Sequence, residues 1–394
     1  MVLRMMSFKE NLKRSKGAEK RSCYKVYINS RPMHRGGILD NGFCDRELSR
    51  MKGDYMTELA FDPELCDACT TIDCVMKCQY MEFDLETAVL EHKKLVAGEQ
   101  SKILTDCVTC YACEEYCPYN NHPFYLIVDR QEELGIHPVP VPLEKSQVVM
   151  MGPKGKLKPK EVSRPVINMC FFTVMNAGIR GTLFEGVSKF GGSDVFCNLM
   201  FLHFARNSTI RERLPLMIEN IMKNFLAPAG VEELICYHDE CYGTYTSWAP
   251  AYGIEVPFKP IHLFDYIYQR MLELKPRISP LGVKVAYQRP CSNRLCPQTD
   301  HFVDDIFSLI GAERPKREFE YENALCCGGV PEAQQRFELT DDLQRKNVED
   351  MKATGATYCV FNCPFCFWTL AEPVVKAGMV PIMMSDLCLM ALGE

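Results

Sequence analysis

The sequence lacks the signatures that nucleotide-dependent enzymes carry. No G-x-G-x-x-G follows a strand, no P-loop is present and no Ser-His-Asp arrangement can be argued, so flavin, nucleotide and hydride chemistry must come from other chains. Tryptophan is scarce, limited to Trp248 and Trp368, and both are expected to pack cores. No charge of either sign dominates: 45 Lys and Arg face 51 Asp and Glu, a net charge of −6, which gives no reason to expect nucleic acid or a membrane surface as a partner. Long apolar runs are missing too. The longest charge-free one, Ala353 to Ala371, contains Asn362, Pro364 and three cysteines and stops at Glu372, so no membrane span is expected. No apolar h-region follows Met1; the first 21 residues hold seven Lys and Arg, and a cytoplasmic location is the expectation.

Cysteine is what abounds, with 22 in 394 residues. Without export a disulfide framework is a poor reading of so many thiols, which leaves metal or cluster ligation. Hydrophobic residues make up 47% of the chain, enough for at least two cores.

The cysteines divide the chain. Ten precede residue 118 and the rest follow residue 169. Between them GPKGKLKPKEVSRP, Gly152 to Pro165, has prolines that disfavour a helix and lysines that stay in water, the mark of a linker. The expected organisation is an N-terminal arm over 1–55, a helical cysteine-rich domain over 56–150, a linker over 151–165, and two α/β units over 166–280 and 281–394. Cys23 and Cys44 in the arm read as ordinary thiols. Helical periodicity marks Leu85 to Glu99, Phe124 to Glu133 and Glu338 to Thr354, and Val283 to Tyr287 reads as a strand. The two α/β units come from an internal repeat of about 115 residues. GVEELICYHDECYGTY from Gly230 answers GATYCVFNCPFCFWTL from Gly355, setting His238 opposite Cys363 and Cys241 opposite Cys366. The fold class is therefore α + α/β, a helical domain before two tandem α/β units.

Cys107, Cys110, Cys113 and Cys117 form C-x2-C-x2-C-x3-C followed by Pro118, the bacterial ferredoxin run. Two-residue spacers let one turn place three thiolates on three irons of a cubane, and the fourth cysteine ligates the other cluster. Cys66, Cys69, Cys74 and Cys78 follow the same logic with two extra residues before the third cysteine. By this crossover rule Cys66, Cys69, Cys74 and Cys117 hold one [4Fe–4S] cluster, and Cys78, Cys107, Cys110 and Cys113 the other. Zinc would also take four thiolates, but zinc ribbons separate their C-x2-C pairs by longer loops.

The C-terminal series is Cys291, then Cys326 and Cys327 before Gly328 and Gly329, then Cys363-x2-Cys366, with gaps of 34 and 35 residues. Vicinal side chains diverge and serve a single cubane badly. Five thiolates suit a larger or more open cluster, and the glycines let the backbone come close. Cys296 and Cys359 sit off the spacing, Cys296 as a substitute for Cys291.

This series resembles the CCG domain of the heterodisulfide reductase family, and the double ferredoxin module in front resembles that family's other small subunit. The order, ferredoxin module and then two CCG copies, resembles the fused, D-type subunit over roughly residues 60 to 394. The resemblance implies a non-cubane [4Fe–4S] cluster on Cys291, Cys326, Cys327, Cys363 and Cys366. In the first copy the vicinal pair has become Phe196 and Cys197, and C-x2-C has become His238-x2-Cys241. Cys170, Cys197, Cys241 and either His238 or Cys236 remain there, enough for one further cluster or merely relics packed in a core. Family members that cleave a heterodisulfide use two complete non-cubane clusters, whereas this chain has one complete set. The expected function is therefore electron transfer within a soluble anaerobic complex. A flavin subunit of the heterodisulfide reductase A type and other redox subunits are the expected partners, and the tungsten-dependent benzoyl-CoA reductase complex is one candidate. The alternative is a catalytic thiol–disulfide or persulfide reductase that uses the non-cubane cluster.

Overall fold

A computed structural model describes residues 58–155 and 157–394 of the chain, so the arm with Cys23 and Cys44 lies outside the described residues. Up to residue 155 every described element is a helix. Pro63–Asp67 and Asp73–Met76 carry the first cysteines, and Lys102–Asp106 and Ala112–Tyr116 bracket the second run. Leu85–Val96 and Pro123–Glu133 brace them. Local chemistry starts these helices. The Asp84 carboxylate accepts from Thr87 N at 2.7 Å and the Ser101 hydroxyl from Ile103 N at 3.1 Å, each satisfying an otherwise orphan donor of the first turn. A core of Ile72, Val75, Leu95, Ile103, Leu104 and Ile127 holds them together.

The remainder folds as two parallel sheets of four strands. Strands β1 (Val166–Asn168), β2 (Ser188–Phe190), β3 (Glu233–Cys236) and β4 (Lys259–His262) are ordered β2-β1-β3-β4. Strands β5 (Val283–Gln288), β6 (Ala312–Glu313), β7 (Tyr358–Phe361) and β8 (Val380–Met383) repeat the order as β6-β5-β7-β8. In both, a long helix precedes the third strand, Asn207–Ile221 in one and Phe337–Ala353 in the other. A helix then starts directly beyond that strand, at Asp239 after β3 and at Pro364 after β7. The sheets share one core, in which Ile167, Ile235 and Phe264 of the first pack with Val285, Tyr287 and Val360 of the second. Trp248 is fully buried and its indole N–H donates to Asn207 Oδ1 at 2.9 Å, while Trp368 packs against the shared core. Among the described residues no helix is long and apolar enough to cross a membrane.

Candidate metal centres

The helical part brings its eight cysteines together as two sets. Burial raises the Cys74 thiol, and the charges of Cys117, Cys66 and Cys69 add to it, so these four sulfurs are neighbours. Asn121 ties them, since its backbone N–H donates to Cys117 Sγ and its side-chain amide to Cys66 Sγ, each at 3.3 Å. The second set is Cys78, Cys107, Cys110 and Cys113. Burial, with Cys110 next, pushes the Cys78 thiol up to about 11, and Cys107 is raised by burial, Cys110 and Cys78.

The backbone around Cys110 is unusual. Thr109 and Tyr111 on either side take left-handed φ values of 54° and 64°, and Ile72 before Cys74 takes 42°. Those turns aim N–H groups inward, as Thr109 N does toward Cys107 Sγ at 3.3 Å. The second set, together with Cys74 of the first, lines one cavity whose remaining wall is mostly apolar, with Met81, Leu95, Phe124 and Ile127 beside Tyr80 and His92. Converging thiols, backbone N–H donors and a dry apolar wall fit an iron–sulfur group. Cys117→Ala is expected to perturb the centre of Cys66, Cys69 and Cys74 and to spare the one beside it in sequence. EPR and Mössbauer spectra of the variant check this, and loss of the Cys107–Cys110–Cys113 centre alone would refute the partition.

The C-terminal sulfurs form a chain. The neighbouring Cys326 and Cys366 thiols lower Cys327, and Cys366 lowers Cys363 against the effect of burial. Burial raises Cys291, and Cys327 adds to this, which puts Cys291 with the set; Cys296 instead faces Asp239 and Thr299. Cys359 lies in the core with its Sγ 3.3 Å from Met351 Sδ. Gly328 has φ 89° and donates to Cys326 Sγ at 3.4 Å, and a Cβ on Gly329 would lie 3.1 Å from the Thr369 hydroxyl. The two glycines thus let the vicinal pair turn tightly against the helix Pro364–Lys376, whose first-turn Cys366 N–H reaches back to Cys363 Sγ at 3.5 Å.

In the first unit the structure sets two of the five candidate ligands, His238 and Cys236, apart from the other three. His238 does not join Cys170, Cys197 and Cys241. It stands on the turn leaving β3, where the two units meet, in edge contact with Phe172 at 5.2 Å, and faces Cys363 of the second unit. Burial alone would lower this imidazole, but the Cys363 thiolate and Glu240 hold it up at about 10. Burial would raise Cys363, yet Cys366 and His238 bring it down to about 6, so His238 and Cys363 each favour the charged form of the other. Cys236 also stands apart, with its thiol aimed at its own strand's Leu234 carbonyl at 3.8 Å. Cys170, Cys197 and Cys241 do come together, all buried, with their sulfurs within 4.8 Å of one another. The lost vicinal position is filled by the Phe196 ring, which packs on Phe171 and Phe201.

No short-range pattern marks the seam between the helical part and the second unit. Tyr80, two residues beyond Cys78, accepts from Cys326 N at 3.1 Å. Glu115 receives Arg289 Nη2 at 2.8 Å and Arg294 Nη1 at 2.7 Å, and both guanidiniums are buried. Gln79 donates to Asn323 Oδ1 at 2.8 Å, and Arg336 donates to the carbonyls of Thr105 and Asp106 at 2.7 Å. A second polar knot joins the two units. Asp239 accepts from Asn293 at 3.1 Å and Asn362 at 2.5 Å and stands 3.2 Å from His262 Nε2.

No curated protein matches the chain. Among solved structures it is similar to a hypothetical protein from Helicobacter pylori, 13% identical with a TM-score of 0.46. The likeness covers 72% of this chain and 60% of that one, so the chain spans less than two thirds of that protein's length. Residues 285–371, which include all five cysteines of the C-terminal series, match the family model of the cysteine-rich CCG domain, and together with the buried cysteine groups this fits an iron–sulfur redox protein.

Proposed function

We propose that the chain is an electron-transfer subunit of an anaerobic redox complex of heterodisulfide reductase type, working between a flavin-bearing subunit and other redox subunits. On this reading Cys66, Cys69, Cys74 and Cys117 hold one [4Fe–4S] cubane and Cys78, Cys107, Cys110 and Cys113 a second. Cys291, Cys326, Cys327, Cys363 and Cys366 hold a non-cubane [4Fe–4S] cluster. Bound there, such clusters take up and release single electrons.

The observation that carries the proposal is the order of the cysteine sets. Cys113 feels the charge of Cys74 in the first set, and Cys291 feels that of Cys110 in the second, so the second set neighbours both the first and the third. Tyr80 bridges the last step by accepting from Cys326 N. Arg294, raised chiefly by Cys110 against the cost of its burial, places a fixed positive charge beside the middle set and favours its thiolate form. On a chain whose sequence carries no nucleotide-binding motif, such centres would need a donor and an acceptor on other chains.

The second reading, a catalytic thiol–disulfide or persulfide reductase, is favoured by one detail: Cys291 is partly exposed while the other four thiols of its set are buried. The two readings part on turnover. The purified chain, given only a chemical electron donor, is expected to reduce cystine negligibly, because the first unit lacks the second cysteine set. Turnover on the order of 1–10³ s⁻¹, the ordinary enzyme range, would favour catalysis instead.

A further inference from the structure

We propose that His238 of the first unit serves the centre of the second, donating a ring N–H to the Cys363 sulfur and so raising that centre's reduction potential. The proposal rests on the reading that Cys291, Cys326, Cys327, Cys363 and Cys366 hold a cluster.

The fold sets a residue of the repeat against its own counterpart. His238 lies two residues beyond β3, and Cys363 lies two residues beyond β7. Asn362, just before Cys363, donates to Oδ2 of Asp239, just after His238, at 2.5 Å. The Phe172 ring lies 5.2 Å from the imidazole and 5.1 Å from the Phe365 ring, which holds His238 against the first turn of the helix Pro364–Lys376. Contacts on both sides therefore keep the ring beside Cys363.

The imidazole has no other bond to make. It is 1% exposed, and neither ring nitrogen has a hydrogen-bond partner of ordinary geometry among the described residues. A buried polar group left in this way points to a missing neighbour. Nδ1 stands 3.8 Å from Glu240 Oε2, and Glu240 Oε1 stands 3.7 Å from His203 Nε2. His203 is fixed in turn by Thr109 Oγ1 at 3.0 Å and the Tyr111 hydroxyl at 3.2 Å. With Nδ1 turned toward that anchored carboxylate, Nε2 is left for the sulfur. The thiolate, not the thiol, is what ligates iron, so a cluster on this set makes Cys363 the anionic acceptor that the ring lacks. An N–H bond to a ligand sulfur favours the more negative, reduced cluster, and outer partners of this kind tune iron–sulfur potentials.

Redox titration of the full chain, purified anaerobically and followed by EPR, reads the C-terminal centre apart from the two ferredoxin-type ones. His238→Leu is expected to make one-electron reduction of that centre about tenfold less favourable, a fall of about 59 mV, and to leave the iron content and the other two potentials as they are. His238→Gln, which keeps an N–H donor, should recover part of the fall. An unmoved C-terminal potential in His238→Leu, or an equal fall in both variants, overturns the proposal. Pulsed EPR of the native chain grown on ¹⁵N-histidine needs no variant. A weak histidine-nitrogen coupling to the C-terminal centre is expected; no coupling, or one as strong as direct ligation gives, overturns the proposal. A native chain without a C-terminal cluster signal would instead overturn the underlying reading and this proposal with it, so the two failures are told apart.

Discussion

Serine at Cys326 or at Cys327 is expected to abolish the C-terminal cluster signal and leave the two ferredoxin-type signals in place. A cubane uses four protein thiolates at most, so under a cubane one of the five cysteines is spare and its loss leaves the iron content near normal. An open cluster that employs all five has no spare. Both members of the vicinal pair are buried, and each feels the neighbouring thiols of the set. Iron is therefore expected to fall by about four atoms per chain in either variant. A variant at either position with native iron content and native spectra would leave the likeness to the CCG domain one of fold alone.

The second large effect is on stability. Glu115→Ala is expected to cost about 3–5 kcal/mol, the usual result of leaving a buried charge without its partner. Arg289 and Arg294 have side chains 2% and 3% exposed and converge on this one carboxylate. Arg289 would keep Asp300 at 2.8 Å, whereas Arg294 would keep no carboxylate, only the carbonyls of Glu322 and Ala324, at 3.0 and 2.9 Å, and the Tyr116 ring at 5.3 Å. Urea unfolding of the anaerobically loaded chain measures the loss. Arg294→Met in the Glu115→Ala background should recover part of it, because an apolar side chain needs no partner there. A loss under about 1 kcal/mol, the scale of an exposed ion pair, would mean that the seam is wetter than its burial indicates.

What could be read in the sequence was what is local or periodic. The helices Leu85–Val96, Pro123–Glu133 and Phe337–Ala353 and the strand Val283–Gln288 lie within a few residues of where spacing put them. The repeat was legible because Gly230 and Gly355 begin matching segments, and it reappears as two sheets of identical strand order. The partition of the eight ferredoxin-type cysteines rests on the crossover rule for such runs, and the spectra of Cys117→Ala test it. The seam was not legible. Glu115 and Arg294 are 179 residues apart and Tyr80 and Cys326 are 246 apart, and no short-range pattern links them. His238 misled for a related reason. Alignment with Cys363 placed it in the first unit's set, but the repeat carries no information on where the two units touch, and at that contact His238 faces its own counterpart.

The seam also bears on how quickly charge could move. Many redox proteins carry an iron–sulfur module on a tether that swings between docking sites, so that viscosity and linker length govern the rate. Here the module is fastened to its neighbour at Gln79, Tyr80, Glu115 and Tyr116 on one side and at Thr105 and Asp106 on the other. These contacts hold the second and third cysteine sets at one separation. On the proposed reading, passage across it would be set by distance and driving force, and a waiting step would belong to the docking of other chains.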